Sequence, residues 1–490
     1  MSQTAAADQV FKEKMVWLRE VVSPQVDSLW MDEHRNIPAD LVIELGNQGL
    51  LGFFIAKEFG GLGWSYEHAF KFVENLAALD TTLAIFVGLN NVLGIKPLNN
   101  FAKHALKQKA LPSLAKGHEL GAFAFTEPGA GSNPKKMESS ATPVSDHAWK
   151  INGVKIWIGS AAWATYIHIF VNLLDAQGKN LGLTAFTLQR DTPGLTIGEE
   201  ALTLGVKGMV QNRIYLQDVL VTRENMLGRP GEGLTVSQDI MKIGRVGLCT
   251  IALGAMKKCY CLAYLYAKKR EIGTGLLLDS AFTGQVLLEI TYRCEIIEEF
   301  LKYVAKALDE KKELPEEFFL AAKILGPEFL GETADAAMQL LGGRGYIETL
   351  QIAKIYRDAR LLRIFEGPTE TLSHYLGMLL SKKKSAFITE FLERQGEGAE
   401  LRNLQMQLVS SSSMRAKNGV LFGKLGAFLI AKALLKISSH AELLKWMDRQ
   451  IEKLAKEMQA PQGKDRENIL TQFYEKTKRE IGSFLKAKDG

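Results

Sequence analysis

The chain has 490 residues, a formal net charge of +5, 47% hydrophobic and 23% charged side chains. That length points to about three domains, and the composition to a globular chain with a sizeable core, not a disordered or collagen-like one. So small a charge on so long a chain gives no reason to expect nucleic acid. The first thirty residues lack an apolar signal-peptide core and carry Asp8, Lys12, Glu13, Lys14, Arg19 and Glu20, which leads us to expect a cytoplasmic protein. The four cysteines, Cys249, Cys259, Cys261 and Cys294, have no zinc-type spacing and read as free thiols of a reducing compartment. Charge is uneven along the chain: residues 383–490 hold 20 Lys+Arg against 13 Asp+Glu, a net +7, on an otherwise near-neutral body.

Residues 1–120 read as helical. Leu41, Val42, Leu45 and Leu50 recur at helical spacing after Pro38, and Gly60-Gly61-Leu62-Gly63 turns the chain. From 121 to 228 the texture is that of a small antiparallel β domain. Asn152-Gly153, between Trp149-Lys150-Ile151 and Val154-Lys155-Ile156, is a hairpin signal, and Ile167–Leu173, Leu183–Leu188 and Arg213–Leu216 read as strands. Ile156–Leu174 has no Asp, Glu, Lys or Arg and raises the question of a membrane helix, but Gly159, Ser160, Thr165, His168 and Asn172 favour two strands around a loop. The helical period returns over 229–382, with Val246–Ala267 and Ala281–Leu308 as paired helices. Residues 383–490 form an added helical extension, broken at Ser410–Ser413 and Pro461–Gly463. Helix, sheet, helix is the order of an α+β chain, mainly α.

Five segments hold chemistry-bearing residues, each with a plain reading of its own. Thr126-Glu127-Pro128-Gly129-Ala130-Gly131-Ser132 offers hydroxyls and close backbone approach, or is a turn. Trp157 stacks on a flat ring, or fills the core. Arg270 ends a helix and binds a diphosphate or serves solvent. Gln339-Leu340-Leu341-Gly342-Gly343-Arg344-Gly345 has more glycine than a helix end requires. Glu366 lies between apolar residues and a Gly-Pro break. Such a carboxylate is either a desolvated base or a salt-bridged cap.

Taken together and in this order, over residues 25–380, the segments resemble the acyl-CoA dehydrogenase family. The matching stretches are Phe59-Gly60-Gly61-Leu62-Gly63, Phe125–Ser132, Lys155-Ile156-Trp157-Ile158, and Leu340–Gly345 through Tyr356-Arg357-Asp358 to Phe365-Glu366-Gly367. The resemblance implies an N-terminal helical domain, a middle antiparallel β domain and a C-terminal four-helix bundle, with FAD between sheet and bundle. It implies homodimers or homotetramers in which each subunit completes the other's FAD site. Phe125, Thr126, Trp157 and Ser160 would lie at the flavin, Ser132 near its diphosphate or the thioester arm, and Arg270, Gln339 and Gly343 at the adenine-diphosphate end of the partner's FAD. Arg245 and Gly367 would join Ser132 in holding substrate. Glu366 would take the α proton of an acyl thioester while the β hydride passes to the flavin, reoxidised by an electron-transfer flavoprotein. Some members carry the base one residue before an arginine; here that position is Gly244, before Arg245, which leaves Glu366 without a rival.

The sequence departs from the family's usual pattern at Phe125, Asn133, Gly159, Ile272-Gly273-Thr274, Phe365 and Pro368. These departures and the basic tail keep three other readings open: an acyl-carrier-protein-linked dehydrogenase or oxidase, an oxygen-using oxidase, and a catalytically silent scaffold. In the tail, Val420–Ile437 is strongly apolar, with Lys424, Lys432 and Lys436 on one helical face. The plain expectation is a packed helix with a solvated lysine face. Sharper readings are a peripheral membrane contact or a dock for an acidic carrier protein.

Overall fold

The computed structural model describes residues 3–381, 386–409, 417–438, 440–459 and 466–482. The expected breaks at 410–413 and 461–463 lie outside these residues. Helices run to Ala115, a sheet occupies Gly121–Leu227, and helices resume at Gly233. Near the start, Pro38 is the N-cap of the helix Ala39–Asn47, which buries Leu41 and Leu45. Gly60, with φ of 84°, closes the next turn, and Gly61 packs on the Ile55 backbone so closely that a Cβ would collide with it. Ser65 then caps the helix Tyr66–Leu79 through the His68 N–H.

The sheet comprises β1 (Gly121–Ala124), β2 (Ser140–Ser145), β3 (Ala148–Gly159), β4 (Tyr166–Leu174), β5 (Asn180–Gln189), β6 (Leu195–Glu200), β7 (Gln211–Thr222) and β8 (Met226–Leu227). Its order is β6-β7-β3-β2-β4-β5-β8, with β1 also on β4. Pairing is antiparallel except that β1 and β2 both run parallel to β4. Ile156–Leu174 is thus two strands around a loop, as its polar interruptions implied.

The Asn-Gly signal misleads. The hairpin turn is Asp146-His147, and Asn152-Gly153 lies inside the continuous β3. Asn152 instead serves a bulge in β7, exchanging hydrogen bonds with Asp218, whose φ is 52°. Gly153 is required because a side chain there would overlap Ser139.

In the bundle, the long helix Gly233–Ala267 packs against Ala281–Asp309, Glu316–Leu341 and, across the domain boundary, Tyr66–Leu79. Small residues set these crossings: a Cβ on Gly254 would meet the Glu74 carbonyl, and one on Gly326 would meet Cys249. All four cysteines are free, with Cys249, Cys259 and Cys294 buried. Two polar ties fasten the parts together. Asp309 accepts from the Tyr66 and Glu67 N–H groups at 2.7 and 3.0 Å. Buried Lys354 sits 2.6 Å from Asp358 and 3.1 Å from Asp80, while Asp358 also accepts from the Val206 N–H at 2.6 Å. The second signature's Asp358 therefore joins all three blocks.

The extension corrects one expectation. The helix Lys417–Ser438 packs along Thr369–Ser381, where Gly377, Gly419 and Gly423 allow backbone contact. Two of its three lysines are paired instead of free in solvent: Lys432 lies 2.8 Å from both Glu397 and Asp448, and Lys436 pairs with Glu397. Its apolar stripe, including Phe422, Leu425, Leu429 and Ile430, is fully buried.

Candidate active site

Glu366 stands on a turn, not in a helix. The helix Gln351–Leu362 ends with the Ile364 and Phe365 N–H groups both returning to the Leu361 carbonyl, and the next helix starts at Thr369. Within this turn Glu366 has φ of 53° and Gly367 of 101°. A left-handed glutamate persists only where its surroundings hold it.

The turn drives the carboxylate against Gly244 of the long bundle helix. A Cβ at Gly244 would lie 2.4 Å from Oε2 and 2.8 Å from Oε1, so the missing side chain is the space Glu366 occupies. The residue's surface is partly exposed, yet both carboxylate oxygens are shut off from solvent and accept no hydrogen bond among the described residues. Burial pushes the Glu366 pKa up to about 7, against the attraction of Lys323 and Arg245. Arg245 is buried and directed to Glu316 at 3.3 Å.

Gly244 also lines an apolar cavity, walled by Phe53, Phe54, Phe70, Leu89, Ile243 and Gly247 among others. None of its lining residues is charged. The base candidate thus sits at the edge of a chamber for an uncharged, aliphatic group.

A second cluster forms on the sheet. Opposite β7, β3 carries an extra residue between Lys155 and Ile158, and there Trp157 adopts φ of 56°. The bulge turns the indole off the sheet and leaves it 65% exposed, so Trp157 is not a core residue. The next N–H back, from Ile156, donates to the Thr126 carbonyl at 2.9 Å and draws the glycine-rich loop alongside. A Cβ on Gly129 or Gly131 would meet nothing closer than 3.8 Å, and Ser132 is exposed on the same loop. Below it, buried Lys155 and Glu127 pair at 2.6 Å, and Glu127 also caps the Glu138 and Ser139 N–H groups. Ser160, buried, donates its N–H to the Val210 carbonyl.

Phe125 contributes its ring to the core beneath the expected site. Its side chain is buried against Phe123 and Phe170. Arg270, Gln339 and Gly343 are all exposed, the first just beyond the long helix and the other two at the end of Glu316–Leu341.

Three family models match in sequence: the acyl-CoA dehydrogenase N-terminal domain over residues 5–118, the middle domain over 122–219 and the C-terminal domain over 231–378. A short-chain-specific acyl-CoA dehydrogenase of Megasphaera elsdenii is 30% identical over 343 residues, covering 69% of this chain and 89% of its own. The solved butyryl-CoA dehydrogenase of the same organism is 28% identical, with a TM-score of 0.70 over 76% of this chain and 97% of its own. An acyl-CoA dehydrogenase from Bacillus anthracis, 20% identical, shares the fold over 96% of this chain and 91% of its own, with a TM-score of 0.80. The chain belongs to the acyl-CoA dehydrogenase family.

Sequence reasoning missed Lys323 and the cavity. Lys323 is fully buried and donates to the Leu362 carbonyl at 2.6 Å and the Gly367 carbonyl at 3.2 Å. A signal was present: it is the only charge between Phe318 and Pro327, and a lone charge on an apolar face needs partners. The cavity had none, because its walls come from separate helices.

Proposed function

We propose that the protein oxidises an acyl thioester across its α and β carbons, with Glu366 as the base. The observation that carries this reading is the buried, unpartnered Glu366 carboxylate at the edge of an apolar chamber. A carboxylate titrating near 7 is matched to proton abstraction at neutral pH. Among the described residues the Glu366 N–H makes no backbone hydrogen bond, which leaves it free to polarise the thioester carbonyl as the α proton departs.

The sheet cluster fits FAD: an outward, uncovered indole at Trp157, the Thr126 backbone beside it, and an open loop at Gly129–Ser132. FAD, when bound there, supplies the acceptor for the β hydride. The exposed Arg270, Gln339 and Gly343 fit a site completed by a second copy, so a homodimer or larger homo-oligomer is the assembly we propose. An electron-transfer flavoprotein is the proposed oxidant of the reduced enzyme.

The chamber's lining favours an uncharged aliphatic acyl group. The test is the anaerobic visible spectrum of the purified protein with a panel of acyl-CoA thioesters. Bleaching by aliphatic acyl-CoA, and none by an acyl-CoA with a free terminal carboxylate, is expected. Bound flavin that no thioester bleaches would refute the reading.

Gly247 provides a separate check on the chamber. It lines the cavity, and a Cβ there meets nothing within 4 Å. Gly247→Leu is expected to slow bleaching by the longest accepted thioesters about 10–200-fold while sparing the shortest. A uniform loss across the panel would place the acyl chain elsewhere.

A further inference from the structure

We propose that Lys323 is a positioning residue for proton abstraction: its ammonium clamps the Glu366 turn and supplies the positive charge that lets the buried carboxylate ionise. This rests on Glu366 acting as the base.

Lys323 lies in the buried stretch of Glu316–Leu341 and is 0% exposed. Its two hydrogen-bond acceptors, the Leu362 and Gly367 carbonyls, lie either side of Glu366 in the chain. The first is the end of the helix Gln351–Leu362, where a cation complements the negative pole. The second follows the left-handed Glu366 directly. One ammonium thus ties both ends of a turn that the backbone does not favour on its own.

The charges around the site come from four elements. Glu366 itself is on the turn, Arg245 on the long helix, Lys323 and Glu328 on Glu316–Leu341, and Glu370 on Thr369–Ser381. Arg245 is engaged by Glu316, which also accepts from the Tyr375 hydroxyl at 3.0 Å. Glu328 is taken by Arg363 at 2.7 Å. Among the described residues Lys323 has no carboxylate within ion-pair distance, so its charge is not committed to another acid. Burial pulls its pKa down to about 8, and the attraction of Glu366 opposes that fall. The two groups therefore sustain each other's ionised state.

In the step concerned, the α C–H bond breaks, the proton passes to a Glu366 oxygen, and the electron pair moves onto the thioester oxygen. This step can be read without redox chemistry. An acyl-CoA with sulfur in place of its β methylene has no β hydrogen to lose, and its α hydrogens exchange with D2O only through the base.

The experiment follows that exchange by mass spectrometry across pH in the holoenzyme, with FAD occupancy and melting temperature measured alongside. Wild-type exchange should rise through about pH 7. Lys323→Met should move the midpoint alkaline by about one unit or more, so that exchange at pH 6 falls at least roughly tenfold. Wild type and variant should converge above the value of about 8 at which Lys323 gives up its own proton. Lys323→Arg should hold the wild-type midpoint. If Lys323→Met does not fold, Lys323→Gln carries the same expectation.

An unmoved midpoint in the neutral variants, with exchange scaled equally at every pH, would reduce Lys323 to a structural role and overturn the proposal. So would an Arg variant that shifts as far as Met. Absence of exchange in the wild type would instead overturn the base assignment on which this rests.

Discussion

Glu366→Gln is expected to abolish most substrate-driven flavin bleaching, by a factor of about 10²–10⁴ or more, while leaving bound flavin in place. The amide fills the same space against Gly244 but cannot take a proton. The substitution should also stabilise the protein, because it removes a carboxylate that burial disfavours. The folded pKa is raised from 4.5 to about 7, so stability is lost as pH rises through that window and stays lost above it. At one pKa unit per 1.36 kcal/mol, the glutamine variant should gain up to about 3 kcal/mol above pH 7. Its melting temperature should exceed the wild type's at pH 8, with the gap closing toward pH 4.5. Wild-type bleaching should fall as pH drops below 7. Near-normal bleaching in the variant would sink the base assignment, and an identical melting temperature at both pH values would contradict the buried-charge account.

The second large effect is expected beneath the glycine-rich loop Thr126–Ser132. Glu127→Ala should destabilise the protein by about 3–5 kcal/mol, because it strands the Lys155 ammonium in the sheet's interior. Side-chain exposures of 0% for Lys155 and 3% for Glu127 leave no water to take over. Burial raises the Glu127 pKa, but Lys155, the Glu138 N–H and Ser139 together outweigh it and hold the carboxyl below its ordinary value. Burial pulls Lys155 down, with Glu127 opposing. The pair's stabilisation is therefore present above about pH 4.5 and lost as pH falls through the depressed folded value. Removing both charges, as Glu127→Leu with Lys155→Met, should cost less than Glu127→Ala alone, since no ion is left behind. Denaturant midpoints settle the comparison: a double variant less stable than the single one would show that the pair stabilises beyond mutual neutralisation. Because Glu127 also anchors the loop that offers Thr126 and Ser132, the single variant should lose flavin as well.

Much of the candidate site lies in short segments. Trp157, Thr126 and Glu366 lie in stretches whose composition is locally odd, and oddity within ten residues is visible in a sequence. Their surroundings were not visible. Trp157 by itself read equally as core or as a stacking ring; the extra residue in β3 that turns it outward is defined only against β7. Asn152-Gly153 looked like a hairpin because Asn-Gly usually is; its actual partners are Asp218 and Ser139, across the sheet. Phe125 matched a motif position, yet its ring belongs to the core with Phe170.

The sequence by itself determined the order of helix, sheet and helix, the family and the identity of the candidate base. Periodicity and motif spacing are properties of neighbouring residues, so they survive without coordinates. Tertiary structure alone decided which charges are buried and paired. Lys323 reaches the Glu366 turn across about forty residues of chain, and Lys432 is sequestered from solvent by Glu397 and Asp448. It alone assembled the apolar cavity beside Gly244, from helices that meet only when the N-terminal block docks on the bundle. Desolvation and ion pairing depend on what surrounds a group in space, and in this fold those surroundings come from segments far apart in the chain.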